Sequence, residues 1–274
     1  MRSRITSAFT ILFFFAAIII FNNTFSIALN IAIALISALS VYEIISALGL
    51  SKNLILLIPS ILFSITLPFL DPFILQQTAY FIYTVIMFGA LICYHKFVTF
   101  RELGVIYSMT LLIPTALETI LRIRGYGGEH GMFYVIIAIA SAWVADTGAY
   151  FAGSFWGKHK LCPDISPKKT IEGVIGGFAL NITAMVVFGY IFQVLYYQHN
   201  VTVSYLSLLI IGVFGTVMSI LGDLSFSLIK RSCHIKDFSE IIPGHGGILD
   251  RFDSVIFTAP FVYLLVHILP IVIK

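Results

Sequence analysis

The chain has 274 residues, 59% of them hydrophobic and 11% charged, with a mean hydropathy of +1.01 and a net charge of +3. Soluble domains are nearer half apolar and about a quarter charged, so the composition excludes a soluble globular protein, and a charge this small and scattered gives no basis for a nucleic-acid partner. Cys93, Cys162 and Cys233 are odd in number and form no C-x-x-C pair, so no disulfide framework is implied.

The chain opens with Met1-Arg-Ser-Arg4 and a long apolar run. That run is too long for a signal-peptide core, and Asn22-Asn-Thr-Phe25 offers no small-x-small cleavage site, so a retained first span is expected. A helix crosses the hydrocarbon with about 20 apolar residues. Nine candidate spans follow in order: 5–21, 25–48, 54–70, 73–94, 103–120, 131–152, 173–197, 203–226 and 254–273. The third and fifth are short and carry Pro59, Pro68 and Pro114. No internal repeat or linker divides the chain, so the expectation is an all-α polytopic protein with one integral domain over residues 1–274. Residues 1–130 form its apolar scaffold and residues 131–274 its chemistry.

Basic residues set the orientation. With nine spans, 13 of them (Arg2, Arg4, Lys52, Lys96, Arg101, Lys158, Lys160, Lys168, Lys169, Lys230, Arg231, Lys236 and Arg251) share the side of the amino terminus, against three (Arg122, Arg124 and Lys274) opposite. The positive-inside rule then puts the amino terminus in the cytoplasm and the carboxyl terminus outside. The polar loops 153–172 and 227–253 would both face the cytoplasm. Without the basic residues of those two loops the bias runs the same way.

The first polar region follows the sixth span. Asp146 lies inside that span, where an ionisable side chain is expected to serve function. Its neighbours Gly148, Ala149, Ala152 and Gly153 have the small-residue spacing of close helix packing, so a purely structural role is the competing reading. Pro167-Lys168-Lys169-Thr170 places two cations beside the membrane, and by itself reads as an anionic-lipid contact or an orientation signal.

The second polar region is denser. If the eighth span continues as a helix to Arg231, then Asp223, Ser227, Lys230 and Arg231 fall on one stripe. Beyond them come Lys236-Asp237, Pro243-Gly-His245-Gly246-Gly247 and Asp250-Arg251-Phe-Asp253, with Asp250 and Asp253 on one helical face. Carboxylates Asp223 and Asp250, with Asp253 as a further candidate, suit Mg²⁺, which takes one or two carboxylates together with substrate phosphate oxygens. Gly244 to Gly247 could expose backbone N–H groups to a phosphate. The plainer reading is a set of interfacial ion pairs anchoring two helix ends. Cys233, His234 and His245 have no common zinc-ligand spacing.

The run Ser227-x-x-Lys230-Arg231, four residues, Lys236-Asp237, then Pro243-x-His245-Gly246-Gly247-x-x-Asp250-Arg251-x-Asp253 resembles the signature of the CDP-diacylglycerol synthases, or phosphatidate cytidylyltransferases. The resemblance extends to Gly222-Asp223-Leu224 and to Asp146-Thr-Gly-Ala-Tyr150 through Ser166-Pro-Lys168-Lys169-Thr170-x-Glu172-Gly173, covering the carboxyl-terminal half of the chain. It implies the reaction of CTP with phosphatidate to give CDP-diacylglycerol and pyrophosphate, in phospholipid biosynthesis. On that reading Asp223 and Asp250 serve the metal, and Lys230, Arg231 and Arg251 serve phosphates. Ser227, Lys236, Asp237, His245, Gly246, Gly247, Lys168, Lys169 and Asp146 support substrate binding.

Expected partners are CTP, phosphatidate and the lipid bilayer, with a homodimer as a candidate assembly. Mg²⁺ is the expected cofactor, with a monovalent cation as a candidate companion. The expected setting is a bacterial cytoplasmic membrane. The rival class is an ion-coupled secondary transporter using Asp146 and Asp223, although the paired inverted repeats of such transporters are not evident. A phospho-alcohol transferase acting on a CDP-lipid would require a D-G-x-x-A-R cluster that the sequence lacks.

Overall fold

The computed structural model of the chain describes residues 25, 27–198, 200–242 and 246–273. The first expected span, 5–21, lies outside the described residues, as does His245. Each of the other eight expected spans has a helix: α1 Ala28–Ala47, α2 Leu54–Thr66, α3 Phe73–Cys93, α4 Phe100–Tyr126, α5 Gly131–Trp156, α6 Ile171–Ile191, α7 Tyr205–Ser232 and α8 Leu249–Ile268. Seven of these helical stretches among the described residues are long and apolar enough to cross a membrane.

The prolines act differently in the two short candidates. Helix α2 has 13 residues and gives way to a 3₁₀ turn, Leu67–Phe69, in which Pro68 takes an early position. Proline has no N–H to continue an α-helical ladder, and the α-helix ends at Thr66. Helix α4 runs 27 residues straight through Pro114, well beyond the 103–120 expected from hydropathy. Its polar ends account for the difference. Thr99 and Glu102 form a reciprocal cap, with the Glu102 carboxylate accepting the Thr99 N–H at 2.8 Å and the Thr99 hydroxyl accepting the Glu102 N–H at 3.3 Å.

The helices fall into two compact units. The first comprises the described residues up to 118 and those of 232–251, and therefore includes polar residues that follow α7. Within it Gln76 donates to the Leu70 carbonyl at 2.6 Å and to the buried Glu118 carboxylate at 2.7 Å. Tyr83 stacks on Phe63 and Tyr107.

The second unit comprises residues 119–231 and 252–274. Its centre is the glycine-mediated seam between α5 and α6. A Cβ added at Gly176 would lie 2.1 Å from Ala152 Cβ, and one at Gly148 would lie 2.8 Å from the Gly176 carbonyl oxygen. The small residues flanking Asp146 thus do pack a helix pair. Asn181 of α6 ties the seam to α7, donating to Ser141, to the Gly212 carbonyl and to Thr216 at 3.0–3.1 Å.

A short antiparallel hairpin, β1 Lys160–Cys162 and β2 Ser166–Thr170, joins α5 to α6, with Lys160 opposite Thr170 and Cys162 opposite Ser166. The Thr170 hydroxyl then accepts the Gly173 N–H at 3.1 Å and starts α6. Glu172 closes the hairpin base, accepting the Lys158 N–H at 3.1 Å and bonding His159 Nδ1 at 2.6 Å. The pair β3 Thr202–Val203 and β4 Val272–Ile273 closes the opposite end of this unit.

Candidate active site

Within the second unit, α5, α7, α8 and strand β2 bring polar side chains to one place. Asp146 on α5 accepts the Ser219 hydroxyl of α7 at 2.7 Å and the Ser254 hydroxyl of α8 at 2.6 Å. One turn beyond Ser219, Asp223 is ion-paired with Lys169 of β2. Its other oxygen accepts the Ser227 hydroxyl at 3.4 Å, so Asp223 and Ser227 share the α7 stripe expected from their spacing. Lys230, one turn further, is buried.

Asp253 on α8 accepts the Ser254 N–H at 2.8 Å and is 6% exposed. Asp146, Asp223 and Asp253 lie within electrostatic reach of one another, as Asp146 does of Lys169 and Asp253 of Lys230. Several carboxylates within electrostatic reach of two lysines form a dense charge cluster for a chain so poor in ions. Gly222 lets α7 and α8 come together here: a Cβ at this position would lie 2.6 Å from the Asp253 carbonyl oxygen. Arg231 Nε donates to the Ile165 carbonyl at 3.4 Å, which fastens the turn of the β1–β2 hairpin to the end of α7.

Strand geometry separates the two adjacent lysines. The exposed part of β2 ends at Lys168, and Lys169, on the part of the strand that turns inward toward Thr170, reaches Asp223.

In the first unit the segment after α7 is organised by two buried carboxylates. Asp250 Oδ2 accepts the Phe238 N–H and the Gly247 N–H, both at 2.9 Å. Gly246 has a φ of +83° that other residues rarely adopt, and a Cβ there would lie 2.9 Å from Asp250 Oδ2 and 3.5 Å from Asp237 Oδ1. The second carboxylate is Glu43, from α1. Its Oε1 accepts the Ser239 hydroxyl at 2.5 Å and the Ile248 N–H at 2.9 Å, and its Oε2 accepts the Leu249 N–H at 2.8 Å.

The Gly247 N–H, expected to face a phosphate, is therefore held by Asp250. Lys236 and Asp237 are exposed, and Arg251 is partly buried.

Among the described residues no group of three or more His, Cys, Asp or Glu side chains forms a ready-made metal cage. The donors present are hard carboxylate and hydroxyl oxygens. They fit Mg²⁺, which completes its shell with water and substrate phosphate rather than with an all-protein cage.

Sequence reasoning passed over Glu43. It is the first acidic residue of the chain and lies within an apolar span, so the argument applied to Asp146 would have found it.

Apolar helices long enough to span a bilayer, with a cluster of carboxylates and lysines in the second unit, define a polytopic helical membrane protein. Residues 2–269 match the family model described as the Cytidylyltransferase family, and the chain belongs to that family. It is 40% identical over 167 residues to the phosphatidate cytidylyltransferase of Bacillus subtilis, covering 61% of this chain and 59% of that protein. It is 40% identical over 165 residues to the protein of the same name from Haemophilus influenzae, covering 58% of this chain and 55% of that one. A third, from Synechocystis, is 44% identical over 139 residues, covering 51% of this chain and 45% of the relative. The matched stretches thus span roughly half the length of these relatives.

Proposed function

We propose that the chain is a phosphatidate cytidylyltransferase. A phosphate oxygen of phosphatidate attacks the α-phosphorus of CTP, the bond from that phosphorus to the β-phosphate oxygen breaks, and pyrophosphate leaves with CDP-diacylglycerol as the lipid product. The observation that carries this reading is the Lys169–Asp223 pair with Ser227 and Lys230 on the same helix as Asp223. Cations and carboxylates in one place suit a reaction between two polyanions.

The chemistry asks little of a general base, because the phosphatidate phosphate is already anionic near neutral pH. It asks for two like-charged groups to be brought together and for charge on the leaving pyrophosphate to be neutralised. Lys169, Lys230 and Arg231 of the second unit and Arg251 of the first are proposed to do this, with Lys236 and Lys168 in support. Mg²⁺ is the proposed cofactor, and when bound it supplies further neutralisation at phosphate oxygens. Asp223 and Asp250 are its proposed carboxylates, with Asp253 as a further one. Asp146, held by two serines, is proposed to tune the charge balance of the cluster.

The proposed setting is the cytoplasmic membrane, with loops 153–172 and 227–253 on the cytoplasmic side where CTP is found. Membership of a cytidylyltransferase family disfavours the transporter alternative.

The test is direct. Detergent-purified protein supplied with cytidine-labelled CTP, phosphatidate and Mg²⁺ should release pyrophosphate and carry the label into the organic phase. Label that stays in the aqueous phase while the protein is folded would rule the reading out.

A further inference from the structure

We propose that Glu43 is a positioning residue for the proposed reaction, acting through the turn of residues 247–250 of the same unit, an inference that rests on the function proposed above. Three observations converge on it. The side chain is fully buried, although it is a carboxylate within an apolar helix. Both of its oxygens are engaged, by the Ser239 hydroxyl and by the N–H groups of Ile248 and Leu249. Those two amides stand at the start of α8, where the first N–H groups of a helix lack intrahelical acceptors and attract negative charge. Glu43 thus caps α8 from a helix about 200 positions earlier in the chain.

The third observation gives the cap its consequence. A Cβ on Gly247 would lie 2.6 Å from both Glu43 carboxylate oxygens. A side chain at Gly247 would therefore have to displace the carboxylate packed against it. The next residues bear on the site: the Gly247 N–H is held by Asp250, whose carboxylate also holds Phe238. Glu43 and Asp250 divide the donors of one turn between them. Moving the Glu43 carboxylate should move the backbone that fixes Asp250.

Glu43→Gln keeps the shape but replaces one acceptor oxygen with an NH₂ facing a donor. Two readouts follow the change. Hydrogen exchange at the amides of residues 247–250 should quicken by about tenfold or more once a buried acceptor is lost. Turnover should fall by about tenfold or more while KM for CTP stays within about threefold, as for an interaction that matters chiefly in the transition state.

Gly247→Ala should reproduce both effects. In a Glu43→Asp background, where the carboxylate is withdrawn by one methylene, Gly247→Ala should cost less than in the wild type, because contacting residues are non-additive. If Glu43→Gln does not fold, Ser239→Ala removes one donor and should give a smaller change in the same direction.

Unchanged exchange in Glu43→Gln would overturn the proposal, as would full additivity of Gly247→Ala with Glu43→Asp. Faster exchange with unaltered turnover would overturn its link to the reaction. A folded wild type that makes no CDP-lipid would instead remove the enzymatic reading, and the exchange results would still decide whether Glu43 holds this segment.

Discussion

Lys169 is ion-paired with Asp223, while Lys168, its neighbour on the same strand, is exposed. The two lysines look equivalent in the sequence, and both were expected to bind substrate. Their positions on β2, one at its exposed part and one where it turns inward, give them different surroundings and therefore different expected roles. Lys169 shares its charge with a carboxylate proposed for the metal, whereas Lys168 is available to an approaching headgroup or to the membrane surface.

The first prediction follows from that separation. Lys169→Gln should lower turnover and shift its Mg²⁺ dependence, because it changes the charge beside Asp223. Lys168→Gln should raise KM for one substrate by a few fold and leave the Mg²⁺ dependence alone. The pair is 23% and 27% exposed at its two side chains, so its loss should change stability by no more than about 1 kcal/mol. Steady-state kinetics across a Mg²⁺ titration, with thermal unfolding alongside, check both statements. Identical kinetics for the two variants would remove the distinction.

The second prediction concerns Asp146. Its oxygens accept hydroxyls from Ser219 and Ser254, which come from two different helices. A serine hydroxyl can turn from donor to acceptor, so Asp146→Asn should keep both contacts and the fold. What changes is charge within reach of Asp223 and Lys169. Turnover should fall about tenfold or more if that charge serves the reaction, with the unfolding temperature nearly unchanged. A folded variant of full activity would return Asp146 to helix packing alone.

Much of this was legible in the sequence because membrane helices announce themselves by composition. Hydropathy located eight of the described helices, and the i, i+4 spacing of Asp223 and Ser227 gave their shared stripe. Features that depend on tertiary partners were not legible. The β1–β2 hairpin is too short and too polar to carry an alternating signal, and only the structure separates Lys168 from Lys169. The Gly247 N–H reads equally well as a phosphate donor or as an internal bond until Asp250 is seen to hold it. Glu43 lies in the half treated as an apolar scaffold, and its partners are about 200 residues away in sequence.

The third prediction tests the proposed orientation. In a cysteine-free variant, single cysteines at the exposed positions Asp164 and Glu240 should react with membrane-impermeant thiol reagents only when the cytoplasmic face is open to them. Ser239 is unsuitable for this purpose because it donates to Glu43. The expectation rests on the excess of Lys and Arg on one side. Labelling of the two positions from opposite faces would refute it, and with it the proposal that both loops serve one reaction.

The last prediction concerns the two carboxylates proposed for the metal. Asp223 is partly exposed and shares its oxygens with Lys169 and Ser227. Asp250 is buried, and its Oδ2 holds the amides of Phe238 and Gly247. Asp→Asn should therefore behave differently at the two positions in stability. Asp223→Asn should fold almost normally. Asp250→Asn places an amide where a carboxylate oxygen accepted two N–H groups, and should lose about 1–3 kcal/mol. In turnover, both should fall on the order of a hundredfold or more if each ligates an ion worth several kcal/mol to the transition state. If the two serve a single ion, the double variant should be little slower than the worse single one, because groups acting as a unit are not additive. Calorimetric titration with Mg²⁺ and CTP separates the cases without relying on activity, and it should show weakened metal binding for each single variant. Multiplicative losses with unaltered Mg²⁺ binding would mean that the carboxylates act separately, with Asp250 confined to holding the turn that Phe238 and Gly247 define.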